Sequence, residues 1–212
     1  MRTHLLFLPG FVCPPGAYDD FLGAVRDATD VAVVSGAVGG SVVAQVTRRS
    51  TPEAEARRVA DRARALTATG DRVVLGGHSR GGLVAFLAAA AVQPAALVLV
   101  DPVSGGGPPW ATPDPVPPVG WTGPALVLGC ALGGRCAPEG RNHEVFAVAL
   151  PECEHAVVPD CGHGDVLGGT FRSFARLLCS RGSDPDRARA ELAARTAAFL
   201  RSDGLPDLPT AE

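Results

Sequence analysis

Six short apolar runs, each closed by turn residues and separated by longer stretches, constrain this chain more than any other feature. They are His4 to Leu8 before Pro9-Gly10, Asp30 to Val34 before Ser35-Gly36, Arg72 to Leu75 before Gly76-Gly77, Ala96 to Val100 before Asp101-Pro102, Ala125 to Gly129, and His155 to Val158. A strand with one wet face alternates apolar and polar residues, whereas these runs are continuous in Val and Leu, as strands covered on both faces must be. The intervening segments have helical periods. Ala54 to Thr69 sets Glu55, Arg58 and Arg62 on one face and Val59, Ala63 and Leu66 on another, Leu83 to Val92 is apolar all round, and Asp184 to Arg201 is amphipathic with Pro185 in its first turn. Strand and helix in alternation predict an α/β fold: a mostly parallel central sheet of about six strands with helices on both faces. The 212 residues suit a single domain, 1–212, with its own core.

Two stretches fall outside the alternation. Ser35 to Thr51 is rich in Gly, Val and Ser, while 104–124 is rich in Gly and Pro and carries both tryptophans, Trp110 and Trp121. Long loops in compact domains are often functional, and Trp is costly to leave in water, so the second stretch is expected to form a flap with Trp110 and Trp121 facing a substrate pocket. Gly82 to Val100 is strongly hydropathic, but Gln93-Pro94 splits it and its longest apolar run falls short of the ~18 residues a span needs. It reads as a buried helix followed by a buried strand.

Leu5 to Leu8 is too short for a signal-peptide core, which makes the cytoplasm the default compartment; the chloroplast is the alternative for a chain trimmed of a transit peptide. With 19 basic against 22 acidic residues and a net charge of −3, the chain has no electrostatic footprint for nucleic acid. The six cysteines form no C-x-x-C pair and read as buried small hydrophobes rather than a disulfide framework.

The chemistry is carried by Gly77-His78-Ser79-Arg80-Gly81-Gly82. In a chain this rich in glycine a G-x-S-x-G pentapeptide arises by chance roughly one time in seven, so context decides its meaning. Here it follows a strand-like run and opens into a helix-like one, the setting of a nucleophile elbow in which a strained turn exposes the serine. Gly77 and Gly81 are required sterically, because strand and helix approach closely beside the serine.

A serine hydroxyl needs a base. Of the five histidines, His4 precedes the first strand, His78 adjoins the serine with its side chain expected to point away, His143 falls in a helix, and His155 lies in the last strand. His163 alone follows a strand end in a glycine-flanked turn, Gly162-His163-Gly164-Asp165, and is the expected base. For the carboxylate that orients it, Asp101 at the end of the fourth run is favoured over Glu139 and Asp165; the alternative role for Asp101 is to open the Asp101-Pro102 turn. Backbone N–H groups of Arg80 and of Phe11 should hold an oxyanion, with Val12 the alternative donor and a pocket residue. Cys153, His155, Cys161 and His163 are zinc-capable, but their two C-x-H pairs flank a strand and would lie at its opposite ends. Neither metal nor organic cofactor is expected.

These residues resemble the chlorophyllase family of α/β-hydrolases, which cleave the phytyl ester of chlorophyll. Gly77-His78-Ser79-Arg80-Gly81-Gly82 is similar to that family's lipase-type motif, Asp101-Pro102-Val103 to the segment bearing its triad acid, and Gly162-His163-Gly164-Asp165-Val166-Leu167 to the segment bearing its triad histidine. Cys136-Ala137-Pro138 with Gly140, Asn142-His143 and Phe146 resembles a further stretch. The resemblance implies an α/β-hydrolase fold and a catalytic triad of Ser79, Asp101 and His163, and at 212 residues no separate lid domain is expected. The partner it implies is a hydrophobic ester, with peripheral membrane contact at most. Pro9-Gly10-Phe11 stands where the family usually has His-Gly-Phe, and the loops around Trp110 and Trp121 show no match, so ester hydrolysis is implied more firmly than chlorophyll as substrate. The rivals are a general small-ester or polyester esterase or acyltransferase on the same residues, and a non-catalytic ligand-binding relative. The sequence leaves the oligomeric state open.

Overall fold

The computed structural model describes residues 1–35, 50–105, 116 and 120–202, apart from the side chains of Phe174 and Arg176. Its elements run β1 Thr3–Leu8, a 3-10 turn Pro15–Tyr18, α1 Asp19–Asp27, β2 Ala32–Ser35, α2 Pro52–Thr67, β3 Arg72–His78 and α3 Arg80–Val92. They continue with β4 Ala96–Val100, β5 Ala125–Leu132, α4 His143–Ala149, β6 Glu154–Gly162, α5 Gly169–Leu178 and α6 Pro185–Arg201. The strands form one six-stranded sheet in the order β2-β1-β3-β4-β5-β6, and every adjacent pair is parallel.

The continuous apolar runs have a direct explanation in the two faces of this sheet. Leu5, Phe7, Val74, Val98, Val100, Leu126 and Leu128 pack on one side with α1 and α6, in a cluster that includes Phe21, Val25 and Leu192. Their alternating neighbours Leu6, Leu8, Val73, Leu75, Leu97, Leu99 and Val127 pack on the other side with Val59, Ala63 and Phe86 of α2 and α3. Because successive strand side chains point to opposite faces, a strand buried on both must be apolar at every position. α3 is apolar around most of its circumference because it packs against β1, β3 and β4 and also along α2. β6 is an edge strand, with its first residues exposed and Val158, Cys161 and Gly162 buried.

The parallel sheet sends the ends of β1, β3, β4 and β6 to one rim. The strand order reverses beside β1, between β1 and β3, and the crevice at such a switch point is where open α/β sheets hold ligands. The turn from β3 into α3 is tight enough to exclude any side chain: a Cβ on Gly77 would lie 2.4 Å from the Gly81 carbonyl, and one on Gly81 would lie 2.1 Å from the carbonyl oxygen of Leu8. Gly81→Ala is therefore expected to cost several kcal/mol through backbone displacement, read as a fall in thermal midpoint; an unchanged midpoint would contradict this packing.

The structure corrects three expectations. Glu55 does not sit on an exposed charged face of α2; it is 3% exposed and forms a buried ion pair with Arg80 at 3.1 Å. Cys136 and Cys179 are joined in a disulfide, with Cys13, Cys130, Cys153 and Cys161 free. Trp121 is buried in the α2/α3 side of the core rather than facing a pocket, because an indole packed among Phe146, Val127 and Leu150 removes more apolar area from water than one at a rim. Trp110 and most of the expected flap lie outside the described residues. Among the described residues no helix is long and apolar enough to cross a membrane.

Candidate active site

Ser79 sits between β3 and α3 with φ 55° and ψ −125°, a conformation that a non-glycine residue adopts only when its surroundings impose it. Its backbone is pinned on three sides: Ser79 N–H donates to Val100 O, and Ser79 O accepts from Leu83 N–H and Val103 N–H. Asp101 and Val12 also have positive φ, 39° and 53°. Asp160, just before His163, has φ 51°, in the irregular stretch where the β5–β6 register shifts. Val12, Ser79, Asp101 and Asp160 thus lie along one rim, as strained residues do where geometry is imposed for chemistry, while Gln93, with φ 50°, caps the far end of α3.

The side chains converge. His163 Nε2 is 2.9 Å from Ser79 Oγ, and His163 Nδ1 is 2.6 Å from Asp101 Oδ2. Asp101 is fully buried, and its other oxygen, Oδ1, accepts the Cys130 N–H at 3.0 Å. The carboxylate thus has both oxygens engaged, one by a backbone donor that cannot change role and one by the imidazole. A carboxylate so placed fixes the imidazole with its proton on Nδ1 and its lone pair on Nε2, aimed at the serine hydroxyl.

Glu139 is exposed beyond β5. Asp165 serves the loop structure: its Oδ2 accepts from Gly162 N–H and Gly182 N–H, each at 2.7 Å. The two C-x-H pairs lie at opposite ends of β6, and their members have separate partners, His155 with His143 and Cys161 with Cys130.

A cavity of about 350 Å³ opens above Ser79. Phe11 and Val12 of the turn after β1 line one side, and Phe171, Ala175 and Leu178 of α5 line another. The Cys136–Cys179 disulfide ties the end of α5 to the loop after β5, and both half-cystines face the cavity. Most of the lining surface is apolar, which suits a hydrocarbon group, and Arg135 and Arg141 are also among the lining residues. Arg80 opens α3 beside Ser79, where the helix dipole favours negative charge. Phe11 N–H makes no hydrogen bond among the described residues.

His78 is a further residue that sequence reasoning misplaced. Its side chain does not turn away; it stacks on His163 with ring centroids 4.5 Å apart and also lines the cavity. Burial, and then the proximity of His163, push its pKa well below the usual histidine range, so the ring is neutral. Tyr18, whose hydroxyl bonds to it, carried no sequence signal, because its partner lies 60 residues away.

The sequence model of the chlorophyllase family matches residues 60–205. The chain belongs to the chlorophyllase family. Among relatives, Chlorophyllase-2 of Arabidopsis thaliana is 31% identical over 160 residues, covering 62% of this chain and 49% of that protein. Chlorophyllase-1, chloroplastic, of Citrus unshiu is 32% identical over 149 residues, covering 61% of this chain and 44% of the relative. The chain thus spans about half the length, or less, of these chlorophyllases.

Among solved structures, an α/β serine hydrolase without lid from Xanthomonas campestris superposes with a TM-score of 0.57 at 17% identity, over 97% of this chain and 84% of that one. The thioesterase RedJ of the prodiginine biosynthetic pathway in Streptomyces coelicolor gives 0.56 at 18%, over 90% and 89%. These likenesses establish the α/β-hydrolase fold.

Proposed function

We propose that this chlorophyllase-family protein is a serine carboxylic-ester hydrolase working through an acyl-enzyme, with Ser79 as nucleophile, His163 as base and acid, and Asp101 orienting His163. The observation that carries the reading is the unbroken Ser79–His163–Asp101 contact at 2.9 and 2.6 Å. Ser79 Oγ attacks the ester carbonyl as His163 Nε2 takes its proton. The same proton then passes to the departing alkoxide, leaving the acyl group on Ser79. Water, deprotonated by His163, releases the acid and restores the serine. Negative charge on the carbonyl oxygen is stabilised by the N–H groups of Arg80 and Phe11, with Val12 in the same turn the alternative donor.

The apolar cavity favours an ester with an uncharged hydrocarbon portion, and family membership makes the phytyl ester of chlorophyll the first substrate to assay. A cavity of about 350 Å³ accommodates an alkyl segment, with a macrocycle left to lie across its mouth. The test pairs chlorophyll a in mild detergent with p-nitrophenyl esters of increasing chain length. Expected are free acid and alcohol from at least one of them, and covalent capture of Ser79 by a fluorophosphonate probe. A wild-type protein that releases no p-nitrophenol and leaves Ser79 unmodified would sink the assignment. Turnover of the short esters without chlorophyll cleavage would remove chlorophyll and keep the esterase.

A further inference from the structure

A buried polar chain runs beneath the site from the turn after β1 to the backbone of His163, and hydrolysis as described makes no use of it. Gly10 N–H donates to Tyr18 Oη at 2.8 Å, Tyr18 Oη lies 2.9 Å from His78 Nδ1, and His78 Nε2 lies 2.9 Å from the His163 carbonyl oxygen. Tyr18 is fully buried and His78 is 2% exposed, so water does not compete for these groups.

The direction of every bond follows from the chemistry of its ends. A carbonyl oxygen only accepts, so His78 Nε2 carries the hydrogen. The neutral ring then offers a lone pair at Nδ1, which must receive the Tyr18 O–H. That leaves the phenol oxygen to accept the Gly10 N–H, and the Cys13 thiol, which also bonds to Tyr18, can then only donate to it. Each member is held in one orientation by its neighbour, and reversing any link would set two donors or two acceptors against each other.

The two ends of the chain matter. Gly10 immediately precedes Phe11, and His163 is the residue that touches Ser79. The face of the His78 ring also lies on His163, with an interplanar angle of 35°. Tyr18 Oη and both ring nitrogens of His78 are buried and all satisfied, the condition under which such polar atoms are tolerated in an interior.

We infer that Tyr18 and His78 are positioning residues: through this chain they fix the oxyanion turn at Gly10-Phe11 and the backbone of His163 relative to one another across Ser79. The inference rests on the esterase reading above. It predicts that loosening the chain reduces the chemical step rather than substrate binding, because the cavity walls formed by α5 are untouched. Displacements of about 1 Å in such a constellation cost on the order of 100-fold in rate.

Steady-state kinetics on a p-nitrophenyl ester and the rate of Ser79 labelling by a fluorophosphonate test this. Tyr18→Phe, which removes one oxygen atom, should lower kcat by about 10-fold with KM within about 2-fold, and slow labelling in parallel. His78→Phe keeps the ring shape and loses both polar atoms, and should lower kcat by about 100-fold. His78→Gln restores an N–H near the Nε2 position and should recover about 10-fold of that loss. A structural role alone would not give rescue by an N–H donor at unchanged KM.

Wild-type kcat in Tyr18→Phe, equal kcat in His78→Phe and His78→Gln, or a loss carried by KM would each overturn the inference. Should His78→Phe not fold, Tyr18→Phe and His78→Gln against wild type still decide it. Wild-type protein that the probe does not label overturns the esterase reading itself, whereas variants labelled as fast as wild type overturn only the positioning role.

Discussion

Replacing Ser79 with alanine is expected to lower ester turnover by on the order of 10⁴ to 10⁶-fold while leaving the fold in place. Among the described residues Ser79 Oγ is the oxygen that His163 Nε2 contacts, at 2.9 Å, and removing it leaves just substrate binding and oxyanion stabilisation. The side chain lost is small, so the cost to stability should be slight. Loss of the strained serine does not relieve the turn, since alanine at this positive φ is strained equally. Circular dichroism and thermal midpoint should match wild type while p-nitrophenyl ester hydrolysis and fluorophosphonate labelling disappear. Retained turnover in Ser79→Ala would mean that another group performs the chemistry.

Asp101→Asn should reduce kcat by about 10⁴-fold, and the structure gives a specific reason. The Cys130 N–H points at Oδ1 and can only donate, so asparagine must turn its single oxygen toward Cys130. Its NH2 group then faces His163 Nδ1. The imidazole can meet that donor only with an Nδ1 lone pair, which moves its proton to Nε2 and removes the base from Ser79. Glu139→Gln, at an exposed site away from this cluster, is the control and should leave kcat within 2-fold. Measuring both on the same ester separates the buried carboxylate from its rival, and equal losses would contradict the role given to Asp101.

Much of the architecture was legible because burial on both faces writes itself into composition. β1, β3, β4 and β5 were recognisable as unbroken Val and Leu runs, and β4 has the same bounds in sequence and structure. β6 was found only over its first half, since the polar and turn-like residues Pro159, Asp160 and Gly162 break the apolar signal in the rest of this edge strand. α2 was recognised from its period, but Glu55 was assigned to the wet face. Helical spacing fixes the direction a side chain points and says nothing of whether an Arg80 waits there to pair with it. The disulfide was missed for a similar reason: Cys136 and Cys179 are 43 residues apart, and only the path of α5 past the loop after β5 brings them together. Trp121 was read as a pocket residue from loop composition, whereas its ring belongs to the core between sheet and helices.

The sequence by itself determined the sheet, the glycine-bounded turn that holds Ser79, and the order of serine, aspartate and histidine along the chain. These are local facts: apolar runs, a turn without room for a Cβ, and residues placed at strand ends. Only the tertiary structure decided which carboxylate faces His163, which way the His78 ring points, and that Tyr18 joins the site at all. Those depend on hydrogen bonds between residues 60 to 85 positions apart, whose donors and acceptors meet only after parallel strands have brought their ends to one rim. A polar side chain in sequence can bond to many partners. In the buried interior each atom must have one, and that requirement is what turns a list of candidates into a single arrangement.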